Sequence, residues 1–255
     1  MRFIKNFVIA AFQRAGYTVR RTKVFAAVQV EVPEILPWQQ EVLEKVSTIT
    51  MTNSVRRWAF LQSLMHVHAS GIAGDIVECG VWKGGNLVLA MLAMDRLGDS
   101  RTVWAYDTFA GMSAPTKFDS VTGDWRTAER QFENKQREDH NEWCYAPLEE
   151  VRANIESFGL SAGRYRAVKG KCEDTLRVAG NLPERIAVLR LDTDFYESTA
   201  AELEILYPRL ASGGVLIIDD YGAWTGSRKA VDAYFAGQSV FLHRVDEACR
   251  LMIKP

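Results

Sequence analysis

The 255-residue chain is poor in cysteine, histidine and net charge. Its four cysteines, Cys79, Cys144, Cys172 and Cys249, form no CxxC pair, and none of the four histidines stands at zinc spacing from them. That argues against a zinc module or a disulfide scaffold and reads as reduced thiols in a cytoplasmic protein. The 31 basic and 32 acidic side chains leave a net charge of −1, so no global positive field draws DNA or RNA, and no nucleic-acid partner is expected. No apolar run is long enough to span a bilayer or to form a signal-peptide core. Internal repeats and low-complexity tracts are missing as well.

With 47% hydrophobic residues the chain can bury one large core. Residues 1–23 carry six basic side chains and no acid around the apolar run Phe7 to Phe12. Two readings fit: a helix packed on the domain, or a basic amphipathic helix on an anionic membrane surface. EVPEILPWQQ (31–40), with two prolines, reads as a linker, so 1–49 is expected to be an extension and linker ahead of a domain at 50–255.

From residue 53 strand-like and helix-like segments alternate, the pattern of βαβ units and a mainly parallel sheet. Strands are expected at 75–79, 102–106, 165–169, 186–191 and 215–218, and helices at 53–68, 86–97, 148–158, 198–210 and 227–235. The polar tract 111–146 reads as a lid or binding insertion. Residues 240–254 read as two strands around a turn at Asp246-Glu247, an antiparallel edge.

In open α/β sheets, ligands bind beyond the carboxyl ends of the strands. ECGVWKGG (78–85) lies at such an end, where glycines let the backbone approach a ligand and the next helix offers unpaired amides. It lacks the G-x-G-x-x-G order of a dinucleotide site, and its acid favours a cationic or hydroxyl-bearing group. Asp107 ends the second strand, where a carboxylate holds a ribose diol. Together these point to a nucleoside cofactor other than NAD. Asp192 and Asp194 follow one apolar strand, and Asp219-Asp220 follow another. Clustered carboxylates repel, and a hard divalent cation relieves them. The alternative is that Asp194 and Asp220 cap helices or pair with Arg190, Arg228 or Lys229. His66 and His68, two apart on a helix, cannot share a face as ligands, and His140 reads as a solvated loop residue.

The runs 74-GDIVECGVWKGGN-86, 102-TVWAYDTFAGM-112, 188-VLRLDTDFYEST-199 and 208-PRLASGGVLIIDDY-221 resemble the macrocin O-methyltransferase family, across roughly residues 50–235. The resemblance implies a Rossmann-like α/β class I methyltransferase fold, a three-layer sandwich on a mainly parallel seven-stranded sheet with an antiparallel last strand. It also implies S-adenosylmethionine as methyl donor, Mg²⁺ or Mn²⁺ as metal, and methylation of a sugar hydroxyl on a natural product, while the basic, apolar residues 1–23 would suit a lipid-linked precursor of a surface polysaccharide. By position, Glu78, Gly80, Trp82 and Gly84 would meet the methionine part of the donor and Asp107 the ribose. Gly170 and Asp174 would lie near the adenine, with Met51 and Ser54 in a covering segment. Asp192, Asp219 and Asp220 match the metal ligands, and Asp192 would also serve as base. Trp125, Trp143 and Trp224 are candidates for stacking on the sugar. Residues 1–49 show no evident counterpart and 113–146 differ, which leaves the acceptor open. Peripheral membrane contact through 1–23 and assembly into a homo-oligomer also stay open. The rival readings are a metal-dependent hydrolase built on the aspartates and an inactive membrane-surface scaffold.

Overall fold

The computed structural model describes residues 34–121 and 123–255; the basic segment 1–23 lies outside them. Eight helices and seven strands follow in the described residues. The helices are α1 (Pro37–Lys45), α2 (Ser54–Ala69), α3 (Gly85–Leu97), α4 (Trp125–Lys135), α5 (Leu148–Ser157), α6 (Cys172–Thr175), α7 (Tyr196–Ile205) and α8 (Thr225–Tyr234). The strands are β1 (Asp75–Cys79), β2 (Val103–Asp107), β3 (Tyr165–Lys169), β4 (Ile186–Leu191), β5 (Leu210–Ile218), β6 (His243–Arg244) and β7 (Arg250–Ile253). They form one sheet in the order β3-β2-β1-β4-β5-β7-β6, parallel from β3 to β5 and antiparallel at β7 and β6.

Burial explains the parallel centre. All six residues of β4, IAVLRL, are buried, as befits a strand covered on both faces. Side chains alternate across the pleat. Val77 and Cys79 therefore join a core with Leu189, Leu191, Leu216 and Ile218 and with Leu203, Val231 and Phe235 of the α7–α8 region. Glu78 and Arg190 share the opposite face, directly paired across β1 and β4.

Two expectations are corrected. Pro37, in the segment read as linker, opens α1 instead: a first-turn proline lacks an N–H that the helix start does not need. Val42, Leu43 and Val46 are then buried, and the amide of Gly85 bonds the carbonyl of Ile49 at 3.1 Å, so residues 37–49 belong to the packed unit. The helix expected over 198–210 ends at Ile205, and β5 begins at Leu210, which pairs with Ile186. Ser212-Gly213-Gly214 thus sits inside a strand, at a register shift. A Cβ on Gly214 would stand 2.8 Å from the carbonyl oxygen of Ala187. No helix among the described residues is long and apolar enough to cross a membrane.

Candidate active site

A cleft of about 350 Å³ opens at the carboxyl ends of the parallel strands. On its β1 side, the turn after Cys79 passes so close to the loop after β4 that a Cβ on Gly80 would lie 1.9 Å from the carbonyl oxygen of Asp192. Only glycine fits there, with φ +82°. Asp107 pins this turn. Its Oδ2 accepts the amides of Val81 at 2.7 Å and Trp82 at 3.3 Å, and its Oδ1 accepts that of Phe109 at 2.7 Å. Burial still pushes its pKa up, against those three amides.

Arg190, 1% exposed, is the hub of the site. Its Nη1 donates to Glu78 Oε1 and to Asp192 Oδ2, both at 2.6 Å, and its Nη2 donates to Asp219 Oδ1 at 2.7 Å. Arg56 of α2 holds the other oxygen of Asp219 at 2.6 Å and ties it to Asp246 at 2.7 Å. Glu78 Oε1 also accepts Asn86 Nδ2 at 3.0 Å, while Glu78 Oε2 and Asn86 Oδ1 are buried without a partner. Burial pushes the Glu78 carboxyl up to about 7 despite Arg190.

On the β4–β5 side, Asp192, Asp219 and Asp220 each place one oxygen within 4.8 Å of the others. Asp194 stands among them with left-handed backbone, φ +65°. Its amide donates to Asp220 Oδ2 at 3.2 Å. Salt bridges reach Asp192 and Asp219, but among the described residues none reaches Asp194 or Asp220. Burial, then the neighbouring carboxylates, pushes Asp194 up to about 7 and Asp220 well above the ordinary range. Asp192 rises to about 6 through burial, with Arg190 opposing. An all-oxygen set with more acid than base is the chemistry of a hard cation site.

Of the residues singled out from sequence, Met51, Glu78, Gly80, Trp82, Asp107 and Gly170 line the cleft, as do the three aspartates. Gly84, Ser54 and Asp174 do not. A Cβ on Gly84 would meet Val151 at 2.9 Å, so that glycine serves the packing of α5. Ser54 and Asp174 are exposed, and Glu173 faces the cleft in place of Asp174. Trp143 and Trp224 line the cleft with Phe195, their rings 5.2–6.0 Å apart, whereas Trp125 stays outside. The histidines are structural: His66 bonds the carbonyl of Gly213 at 3.0 Å, His68 bonds Asp99 at 3.1 Å, and His140 stacks on Tyr145. Arg56 and Asn86 had no assigned place in the cleft from sequence, and Arg190, named there only as a possible partner of Asp194 or Asp220, forms a salt bridge with neither. An arginine inside an apolar strand is the signal for Arg190, because a buried guanidinium must find partners.

Sheet order and strand-end cleft are those of a class I, Rossmann-like methyltransferase. The macrocin O-methyltransferase (TylF) family model matches residues 15–252, and the chain belongs to that family. The match takes in residues 15–49, where no counterpart was expected. A Streptomyces olivaceus protein, the 8-demethyl-8-(2,3-dimethoxy-α-L-rhamnosyl)-tetracenomycin-C 4′-O-methyltransferase, is 42% identical over 66% of this chain and 60% of its own length. The demethyldecarbamoylnovobiocin O-methyltransferase of Streptomyces niveus is 35% identical over 73% of this chain and 68% of its own. The chain thus matches about two thirds of the length of these curated relatives. Among solved structures, the O-methyltransferase NovP superposes with a TM-score of 0.70 at 33% identity, covering 81% of this chain and 82% of that one. The calicheamicin methyltransferase CalS11, at 16% identity and a TM-score of 0.59 over 86% of this chain and 93% of that one, shares the fold.

Proposed function

We propose that the protein methylates a sugar hydroxyl of a phosphate-free glycoside, with S-adenosylmethionine as donor and Mg²⁺ or Mn²⁺ held by Asp192, Asp219 and Asp220. The observation that carries this reading is that two sites open into one cavity: the orphaned acceptors of Glu78 and Asn86, and the three-carboxylate cluster. Two buried acceptors without donors fit an ammonium group, which the methionine part of the donor carries. A hydrolase reading leaves both acceptors unexplained.

When bound, the donor supplies an electrophilic methyl group and the cation supplies positive charge beside the acceptor hydroxyl. The protein supplies position and proton transfer. Gly80 lets the main chain approach the donor, Asp107 holds the turn that faces the ribose, and Met51, Trp82 and Gly170 close around it. Asp194 suits the base better than Asp192, which Arg190 already engages at 2.6 Å. It lines the cleft, has no cationic partner among the described residues, and can take the hydroxyl proton as the C–O bond forms.

The acceptor class follows from charge. Nine carboxyl groups line the cleft against two cationic side chains, Arg56 and Lys171. Such a wall repels the phosphates of a sugar nucleotide or a diphosphate-linked precursor and tolerates a neutral glycoside. Trp143, Phe195 and Trp224 offer aromatic surface for the sugar ring. Calorimetric titration of S-adenosylmethionine tests the donor site: wild type binds, and Glu78→Gln binds at least about tenfold more weakly. Labelled methyl should then pass to a phenyl rhamnoside in Mg²⁺ and not in chelator. A wild type that binds no donor, or that prefers a sugar nucleotide, contradicts the reading.

A further inference from the structure

Behind the acid turn Asp192-Thr193-Asp194 lies a polar group that the reaction does not touch. Glu202 of α7 is fully buried and, among the described residues, forms no salt bridge. Thr193 Oγ1 lies 3.0 Å from its Oε1 and 3.2 Å from its Oε2 and donates to the carboxyl. Cys79, Cys172 and Glu202 each place one sulfur or oxygen atom within 4.8 Å of the others, so a cluster of side chains links the end of β1 to α6 and α7 beside the cleft. Burial pushes the Cys79 thiol up to about 12, and the Cys79 side chain, then burial, raises that of Cys172. The group is therefore a pair of neutral thiols beside a carboxyl, not an anionic sulfur site.

A buried acid without a counter-ion costs stability, and an apolar residue of similar volume would avoid that cost. Here the acid reaches the residue between the two carboxylates that face the cleft. The second of these, Asp194, sits in a left-handed conformation that a non-glycine residue adopts only when held. The turn is anchored at its start by the amide of Asp192 on the carbonyl of Cys79 at 2.8 Å and closed by the amide of Phe195 on the carbonyl of Thr193 at 2.7 Å. The Thr193 side chain ties it to α7 through Glu202, beside a longer bond from Ser198 Oγ to the carbonyl of Thr193 at 3.5 Å.

We propose that Glu202 is a positioning residue: through Thr193 Oγ1 it fixes the Asp192-Thr193-Asp194 turn so that the cleft carboxylates converge on one cation. The inference rests on the metal reading above. Outer partners that orient metal ligands change affinity by roughly 10- to 100-fold when removed.

Mn²⁺ titrations of the full chain, followed by calorimetry and by the spin-resonance signal of free Mn²⁺, test it. Thr193→Val and Glu202→Leu should each weaken Mn²⁺ at least about tenfold. Glu202→Gln, whose amide oxygen still accepts from Thr193, should stay within about threefold of wild type. S-adenosylhomocysteine affinity measured in chelator should not change, and Glu202→Leu should melt no lower than wild type, a pair of results that general loosening would not give. If wild type binds Mn²⁺ and Thr193→Val binds it equally well, the inference is wrong while the metal reading stands. If wild type binds no Mn²⁺, both fall.

Discussion

The two walls of the cleft bury carboxyl groups in opposite ways. On the β1–β2 side each acid has fixed partners: Asp107 accepts three main-chain amides, and Glu78 pairs through Oε1 with Arg190 and Asn86, leaving Oε2 free for a ligand. On the β4–β5 side, Asp194 and Asp220 face each other with no guanidinium between them, and burial, then the neighbouring carboxylates, pushes both up. The first wall is built by its acids. The second carries acids that raise its energy until a cation arrives, which marks it as the place where binding energy is collected. Arg190 joins the two, touching Glu78 on one side and Asp192 and Asp219 on the other.

Removing that joint should have the largest effect. Arg190→Met leaves the buried Glu78 and Asp219 and the half-buried Asp192 without their shared counter-charge, and breaking buried pairs of this kind costs about 3–5 kcal/mol. Calorimetric melting of the variant should show a loss of that order, and a near-wild-type melt would mean that the hub is dispensable. The next effect separates an answered acid from an unanswered one. Burial holds the Glu202 carboxyl at about 7, above its ordinary 4.5, so the native state keeps a proton that the unfolded chain releases between those values. Its share of stability is complete below about pH 4.5, falls as pH rises to about 7 and is level beyond. Glu202→Gln removes that fall and should gain about 2 kcal/mol on wild type between about pH 5 and pH 8, read from denaturant midpoints in chelator. An unchanged difference across that range would show that Glu202 titrates normally.

Much of the fold could be read from the sequence because its central strands are largely buried apolar runs bounded by glycine and aspartate. IAVLRL and VWAYD needed no tertiary information to be placed. Less could be read where one residue type serves two structures. Pro37 suited a linker as well as the first turn of α1, and Leu210-Ala211 suited a helix end until the pairing with Ile186 made them strand. In the site, spacing located the acids at strand ends but not the direction of each side chain. Gly84 therefore turned out to serve packing against Val151, and Glu173 took the place expected for Asp174. Arg190 was read as a possible partner of Asp194 or Asp220, and its role as hub was missed because two of its three partners are distant in sequence, Glu78 by 112 residues and Asp219 by 29.

The smallest effect bears most directly on the central claim, that the acids of the β4–β5 wall are a cation site. Melting temperature is measured for wild type and Asp220→Asn in chelator and in Mn²⁺. At ten times the dissociation constant, a bound ion adds about 1.4 kcal/mol, a rise of a few degrees in a chain of this size. The account predicts that rise in wild type alone. It also predicts that Asp220→Asn, relieved of one crowded carboxyl, melts above wild type in chelator. A wild type that melts at the same temperature with and without Mn²⁺, and above Asp220→Asn in chelator, would contradict it.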